Sequence, residues 1–262
     1  MIRLNPIAFS LASEKLAPCG IVAEVARPIV LSGSDSPVDI WSVALHQALS
    51  GPCFLKKLLP ETERAQGMRL RSASDRRRFL LRRAARRLVL SRYLGRPPET
   101  LVFAEGDMGK PALVCSRELQ FNCSASGNLA LIGVTMGRRV GVDVEQLRPV
   151  PGSLDIAKEF FSRNELEALR RMPSTDRSVS FLRLWTCKEA WTKAKGAGLN
   201  LSFSSFDIDC DPLPQLRKTE GDPHERHQWC IQNFVPAPGF IGAVAVESAD
   251  PNGITERPPH SS

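Results

Sequence analysis

Apolar positions recur along the chain with two periods, and these separate strands from helices. Val140–Glu145 alternates valines with Gly141, Asp143 and Glu145, the period-2 pattern of a half-buried strand. Val38–Leu45, Leu101–Phe103, Phe121–Cys123, Leu129–Val134, Phe203–Ile208, His227–Phe234 and Phe240–Val246 read as further short strands. Spacings of three and four predict helices instead. Phe79, Leu80, Ala84, Leu88 and Leu94 mark one that the Gly95-Arg-Pro-Pro98 break closes. Asp155–Met172 and Phe181–Lys195 are the others, the last with a stripe of Phe181, Leu184, Trp185 and Trp191. Gly106–Pro111 reads as a turn and Ser124-Ala-Ser-Gly-Asn128 as an exposed loop. Residues 1–36 carry no motif and are expected to form an extension that could be disordered. The tail 249–262, with little apolar content, is expected to be disordered too. Two blocks remain, 37–139 and 140–248, each with helices and a few short strands.

The strand at Val140 and the helix at Phe181 carry the candidate chemistry. Asp143 and Glu145 leave the strand on one face, roughly 6–7 Å apart, so two hard oxygen ligands can converge on one Mg²⁺. On the helix, Glu189 and Lys193 are an i,i+4 pair at the border of the apolar stripe. Lys188 falls near the middle of that stripe, where an ammonium needs a partner. Three carboxylates and two lysines suit a metal-bound diphosphate; taken singly, each motif is as well explained by a solvated surface.

Composition narrows the classes. In 262 residues, no apolar run approaches the ~20 that a membrane helix needs. Seven cysteines without a Cys-x-x-Cys argue for reduced thiols in a cytosol. The net charge of +7 is concentrated between Arg64 and Arg96, on an amphipathic basic helix. Such a helix suits nucleic acid, an anionic surface or an acidic protein. Nucleic acid is the weaker reading, because it leaves the three carboxylates without a role. His224 and His227 have no cysteine partner at zinc spacing and read as part of a polar loop.

The motifs together resemble the 4'-phosphopantetheinyl transferases, of the larger surfactin-synthetase-activator type. Gly141-Val-Asp-Val-Glu145 matches the family's first signature, and Trp185-Thr-Cys-Lys-Glu-Ala-Trp-Thr-Lys193 its second, with Gly196-Ala-Gly-Leu199 following. Gly109-Lys-Pro111, Phe121-Asn-Cys-Ser-Ala-Ser-Gly127, Phe160-Phe-Ser-x-x-Glu165 and Val38-Asp-Ile-Trp41 also fit, in order, across roughly residues 38–247.

The resemblance implies an α+β fold of two similar α/β subdomains related by a pseudo-twofold. Each would carry helices on a small, mainly antiparallel sheet, with the cofactor in the cleft between. It implies a cytoplasmic monomer that transfers 4'-phosphopantetheine from coenzyme A to a serine of an acidic apo carrier protein. Asp143, Glu145 and Glu189 would hold Mg²⁺, with Mn²⁺ an alternative. Glu189 and Lys193 would be catalytic, Glu189 as general base unless a metal-bound hydroxide takes that part. Lys110, Pro111, Ser124, Ala125, Asp143, Lys188 and Lys193 would contact coenzyme A, and an arginine of the 76–83 run, Arg78 or one of its neighbours, its adenosine end. One position departs from the pattern: Ala125 stands where the family has a histidine that contacts the 3'-phosphate. Neighbouring arginines could compensate, or the chain could be a homologue that binds without turnover.

Overall fold

The computed structural model describes residues 12–16, 21–29, 38–45, 52–105, 110–196, 198, 201–219 and 224–248. Two 22-residue helices, each lying on an antiparallel sheet, organise the chain. In the first half, β1 (Ala12–Leu16), β2 (Ile21–Ile29), β3 (Val38–Ala44), β6 (Leu119–Ser126) and β7 (Leu129–Met136) form a sheet in the order β1-β2-β3-β7-β6. Helices α1 (Pro52–Leu58), α2 (Glu61–Met68) and α3 (Ala73–Leu94) follow β3, and β4 (Phe103–Glu105) pairs with β5 (Pro111–Leu113). In the second half, β8 (Val140–Gln146), β11 (Trp229–Phe234) and β12 (Phe240–Glu247) form a sheet in the order β11-β12-β8. Helices α4 (Ser153–Phe160), α5 (Arg163–Arg171) and α6 (Ser174–Lys195) lie between β8 and the pair β9 (Phe206–Asp209) and β10 (Gln215–Thr219). The expected α+β class with two like-built halves is therefore the class observed.

Each half has its own core, and a third core joins them. Leu81, Ala84, Ala85, Val89 and Leu90 bury one face of α3 against Trp41, Phe121 and Ile132. Helix α6 buries Phe181, Leu184, Cys187, Ala190 and Trp191 against β9, β11 and β12. Between the sheets, Val38, Ile40, Leu129 and Leu131 meet Val140, Val142, Val144, Val244 and Val246. The alternation in β8 thus sorts as expected: valines enter the seam, and Gly141, Asp143 and Glu145 face the other way. The strand is nonetheless covered on both sides, and Asp143 is only 4% exposed.

Gly141 explains that covering. A Cβ there would lie 2.0 Å from the Ala190 carbonyl oxygen and 2.4 Å from the Ala194 nitrogen. The backbone of α6 rests directly on the strand, which only a glycine beneath small residues permits.

Four expectations are corrected. Part of the 1–36 extension is built into the first sheet, with β2 pairing to β3 and β1 to β2. Ser124–Ser126 belong to β6, not to a loop, because Ser124 and Ser126 bond across to β8; the turn itself is at Gly127 (φ 55°). The helix expected over Asp155–Met172 is two helices. Ser162 starts α5, accepting from the Glu165 nitrogen while the Glu165 carboxylate accepts from the Ser162 nitrogen. The strand expected over Phe203–Ile208 begins at Phe206, after a 3-10 turn. Most of the Gly106–Pro111 turn and the whole 249–262 tail lie outside the described residues.

Gly141→Ala should lower stability by about 1–3 kcal/mol, the cost of overpacking a fitted contact. A urea unfolding midpoint equal to that of the unmodified chain would contradict the close approach.

Candidate active site

Because α6 rests on Gly141, its next residues meet the strand's carboxylates. Lys193 Nζ lies 2.6 Å from Asp143 Oδ1 and 3.9 Å from Glu189 Oε2. Ser124 donates its hydroxyl to Asp143 Oδ1 at 2.7 Å, and Lys193 reaches the same hydroxyl at 3.3 Å. Ser126 donates to Glu145 Oε2 at 2.9 Å and accepts from the Gln146 nitrogen. The side chains of β6 therefore fix the acidic face of β8. Asn122 adds to this by accepting from the Val142 nitrogen.

The electrostatics show how close the three carboxylates are. Burial raises the Glu189 pKa; Lys193 lowers it, while Asp143 and Glu145 raise it further. Burial likewise raises Glu145, against the Ser126 hydrogen bond, with Asp143 adding to the rise. Asp143 Oδ2 is buried without a hydrogen-bond partner. Among the described residues, however, no three His, Cys, Asp or Glu side chains are already gathered to hold a metal ion. The ammonium of Lys193 stands between Asp143 and Glu189 and supplies the counter-charge.

Beside this cluster a cavity of 390 Å³ opens between the halves. Arg82, Arg83 and Arg86 line it from α3, Ser124 and Ala125 from β6, and Pro111 and Lys193 complete it. Four of the expected coenzyme A contacts, Pro111, Ser124, Ala125 and Lys193, thus share one cavity, and Asp143 touches two of them.

Residues 139–245 match the family model of the 4'-phosphopantetheinyl transferase superfamily. The chain is 34% identical to the 4'-phosphopantetheinyl transferase HetI of Nostoc sp. (strain PCC 7120), over 84% of this chain and 92% of that protein. The chain belongs to the 4'-phosphopantetheinyl transferase superfamily. The transferase Sfp of Bacillus subtilis (strain 168) is 30% identical over 83% of this chain and 96% of its own. Among solved structures, the holo-(acyl-carrier-protein) synthase from Bacillus anthracis str. Ames in complex with CoA (3',5'-ADP) matches with a TM-score of 0.35. Its identity is 23%, covering 42% of this chain and 96% of that one.

Three expected contacts of this transferase lie elsewhere. Lys188 is 0% exposed and cannot reach the cavity. Its ammonium bonds both Glu165 oxygens, at 2.7 and 2.8 Å, and the Phe206 carbonyl at 2.7 Å, and lies 3.9 Å from the Phe206 ring centre. Glu165 in turn accepts from the Ser162 and Ile208 nitrogens. This pair therefore ties α5, α6 and β9 together. Lys110 donates to the carbonyls of Val140 and Lys193, at 3.1 and 2.9 Å, and lines an adjoining cavity instead. Burial, with Arg139 nearby, pulls its pKa down to about 8. Arg78 pairs with Asp75 at 2.5 Å on the exposed side of α3 and does not line the cavity.

Arg82 and Arg83, which do line the cavity, belong to the 76–83 run from which that arginine was expected. Phe79, Arg82, Arg83 and Arg86 share one helix face at spacings of three, four and seven. Ser162-x-x-Glu165 spells a capping box.

Lys188→Ala should destabilise the transferase by about 3–5 kcal/mol, because it strands the buried Glu165 carboxylate. Lys188→Met with Glu165→Gln, which keeps an uncharged acceptor for the Ser162 and Ile208 nitrogens, should recover much of that loss in chemical denaturation. A small loss in the single variant would mean that Lys188 is not a structural ion pair.

Proposed function

We infer that this transferase moves the 4'-phosphopantetheine group of coenzyme A onto a serine hydroxyl of an apo carrier protein. The other product is adenosine 3',5'-bisphosphate. The supporting observation is the juxtaposition of Asp143, Glu145, Glu189 and Lys193 at the mouth of an arginine-lined cavity. In the reaction the serine oxygen forms a bond to the pantetheine-bearing phosphorus. The bond from that phosphorus to the bridging oxygen breaks, and the serine proton goes to a base. Such a displacement asks chiefly for positioning and for neutralised charge on the oxygens.

The chain's own residues supply both. Lys193, 30% exposed and held between two carboxylates, can turn an N–H to a diphosphate oxygen without leaving Asp143. Ser124 holds Asp143 Oδ1, and that oxygen with Glu189 sets the ammonium's direction. Glu189 is the candidate base through an oxygen not given to a cation; in the metal-free site burial raises its pKa, and a cation on the same carboxylate would work against that basicity.

A divalent cation fits this donor set. The unpartnered Asp143 oxygen and two desolvated glutamates are hard oxygen ligands in need of positive charge. Asp143, Glu145 and Glu189 would hold Mg²⁺, which when bound would neutralise the diphosphate and stabilise the departing phosphate. The carrier protein that suits a chain of net charge +7 with a basic α3 is an acidic one. The described cysteines are free thiols, which suits a reducing cytoplasm. Among the described residues no helix is long and apolar enough to cross a membrane.

Intact-mass analysis of an apo carrier protein, after incubation with coenzyme A and Mg²⁺, should show the gain of one phosphopantetheine. Asp143→Ala and Glu189→Ala should each cut that rate by about a hundredfold or more, with melting temperatures near that of the parent. Full activity in either would refute the assignment.

A pH dependence follows from the raised carboxylates. Their folded pKa values lie above the ordinary value of 4.5, so the metal-free protein loses stability as pH rises through them. Mg²⁺ binds the ionised form, so its stabilisation should grow over the same rise, to about 2.7 kcal/mol at a hundredfold excess over Kd. Melting curves that show an equal Mg²⁺ effect at pH 4.5 and at neutrality would place the ion elsewhere.

A further inference from the structure

Both carboxylates of β8 have one oxygen engaged and the other left open. Asp143 Oδ1 accepts from the Ser124 hydroxyl at 2.7 Å and from the Lys193 ammonium at 2.6 Å, which uses both of its lone pairs. Asp143 Oδ2 is buried and accepts nothing. Glu145 Oε2 accepts from the Ser126 hydroxyl at 2.9 Å. The Ser126 oxygen in turn accepts from the Gln146 N–H at 3.1 Å, so its proton points away from the main chain and toward Glu145.

The serines alternate along β6 as the carboxylates alternate along β8, so each pair shares one strand face. β6 and β8 lie in different sheets, and the match between them is made by side chains, not by a backbone ladder. A carboxylate with one oxygen held in this way offers a cation the other oxygen alone. Single-oxygen ligands suit Mg²⁺, which is small, demands octahedral geometry and keeps several waters. Ca²⁺ is larger, takes more ligands and gains from carboxylates that give both oxygens.

We propose that Ser126 is a positioning residue that sets metal specificity: with Ser124 it holds the strand carboxylates to one metal-facing oxygen each, which favours Mg²⁺ over Ca²⁺. That a cation sits at these carboxylates rests on the transferase reading above. The two serines differ in weight. Without Ser124, Lys193 still engages Asp143 Oδ1. Glu145 Oε2 is held by Ser126, so the loss of that one hydroxyl frees both Glu145 oxygens. Ser126 touches neither substrate nor cation and acts through Glu145.

Mn²⁺ bound to the full chain, followed by electron paramagnetic resonance and displaced by Mg²⁺ or Ca²⁺, tests this, with and without coenzyme A and without carrier protein. Asp143→Ala should lose the bound Mn²⁺, which locates the signal. The parent should release Mn²⁺ to Mg²⁺ at a lower concentration than to Ca²⁺. To draw on both Glu145 oxygens, Ca²⁺ must break a charge-assisted hydrogen bond, so Ser126→Ala should shift the ratio of displacing concentrations about tenfold toward Ca²⁺. Ser126→Thr keeps the hydroxyl and should restore the parent ratio. Gln146 is exposed, so water replaces the acceptor that its N–H loses in Ser126→Ala. A merely structural role would weaken both ions together and leave the ratio where it was. An unchanged ratio in Ser126→Ala, a parent that prefers Ca²⁺ or binds no Mn²⁺, or Mn²⁺ retained by Asp143→Ala overturns the assignment. Because metal binding is read, failure of phosphopantetheine transfer would sink the transferase reading alone and leave the result for Ser126 interpretable.

Discussion

The contact of the α6 backbone with Gly141 is the constraint on which the site depends. With any side chain at that position the helix would have to lift, carrying Glu189 and Lys193 away from Asp143 and Glu145. The contact acts on main chain, so it fixes the helix axis as well as the rotamers. Ala190 and Ala194 on the helix complete the fit. The acidic pattern of β8 acquires its chemistry only because the neighbouring position has no side chain at all.

The same helix treats its two signature lysines in opposite ways. Residues 188 and 193 are five apart, about 140° around the axis, whereas 189 and 193 lie about 40° apart. Lys193 therefore shares the cleft face with Glu189, and Lys188 turns into the core. There Glu165 meets it with both oxygens and closes the N-terminus of α5 at the same time. One lysine serves chemistry and the other holds the scaffold that aims it. Raised carboxylate pKa values in the cleft and a saturated ion pair behind the helix are two results of the same geometry.

The sequence made the cleft face legible because period and charge agree there. Alternation put Asp143 and Glu145 together, and the i,i+4 spacing put Glu189 beside Lys193. Lys188 was harder, since its need for a partner was visible but the partner lies 23 residues away. A polar run, Ser124–Asn128, suggests a loop; its serines instead bridge two strands, which local composition does not encode. The β2 strand pairs with β3 even though Pro28 interrupts its apolar pattern. Among the arginines of α3, density hid the difference between Arg78 at the surface and Arg86 in the cavity wall, which only the partners Glu63 and Phe103 reveal.

The apolar seam between the sheets has a mechanical consequence. Nine of the aliphatic residues that fill it come from four strands, and close-packed interiors of this kind do not deform continuously. A hinge between the halves would have to break that packing, which opposes widening of the groove. Little binding energy is then spent on moving the scaffold, and more of it remains to orient the reacting groups.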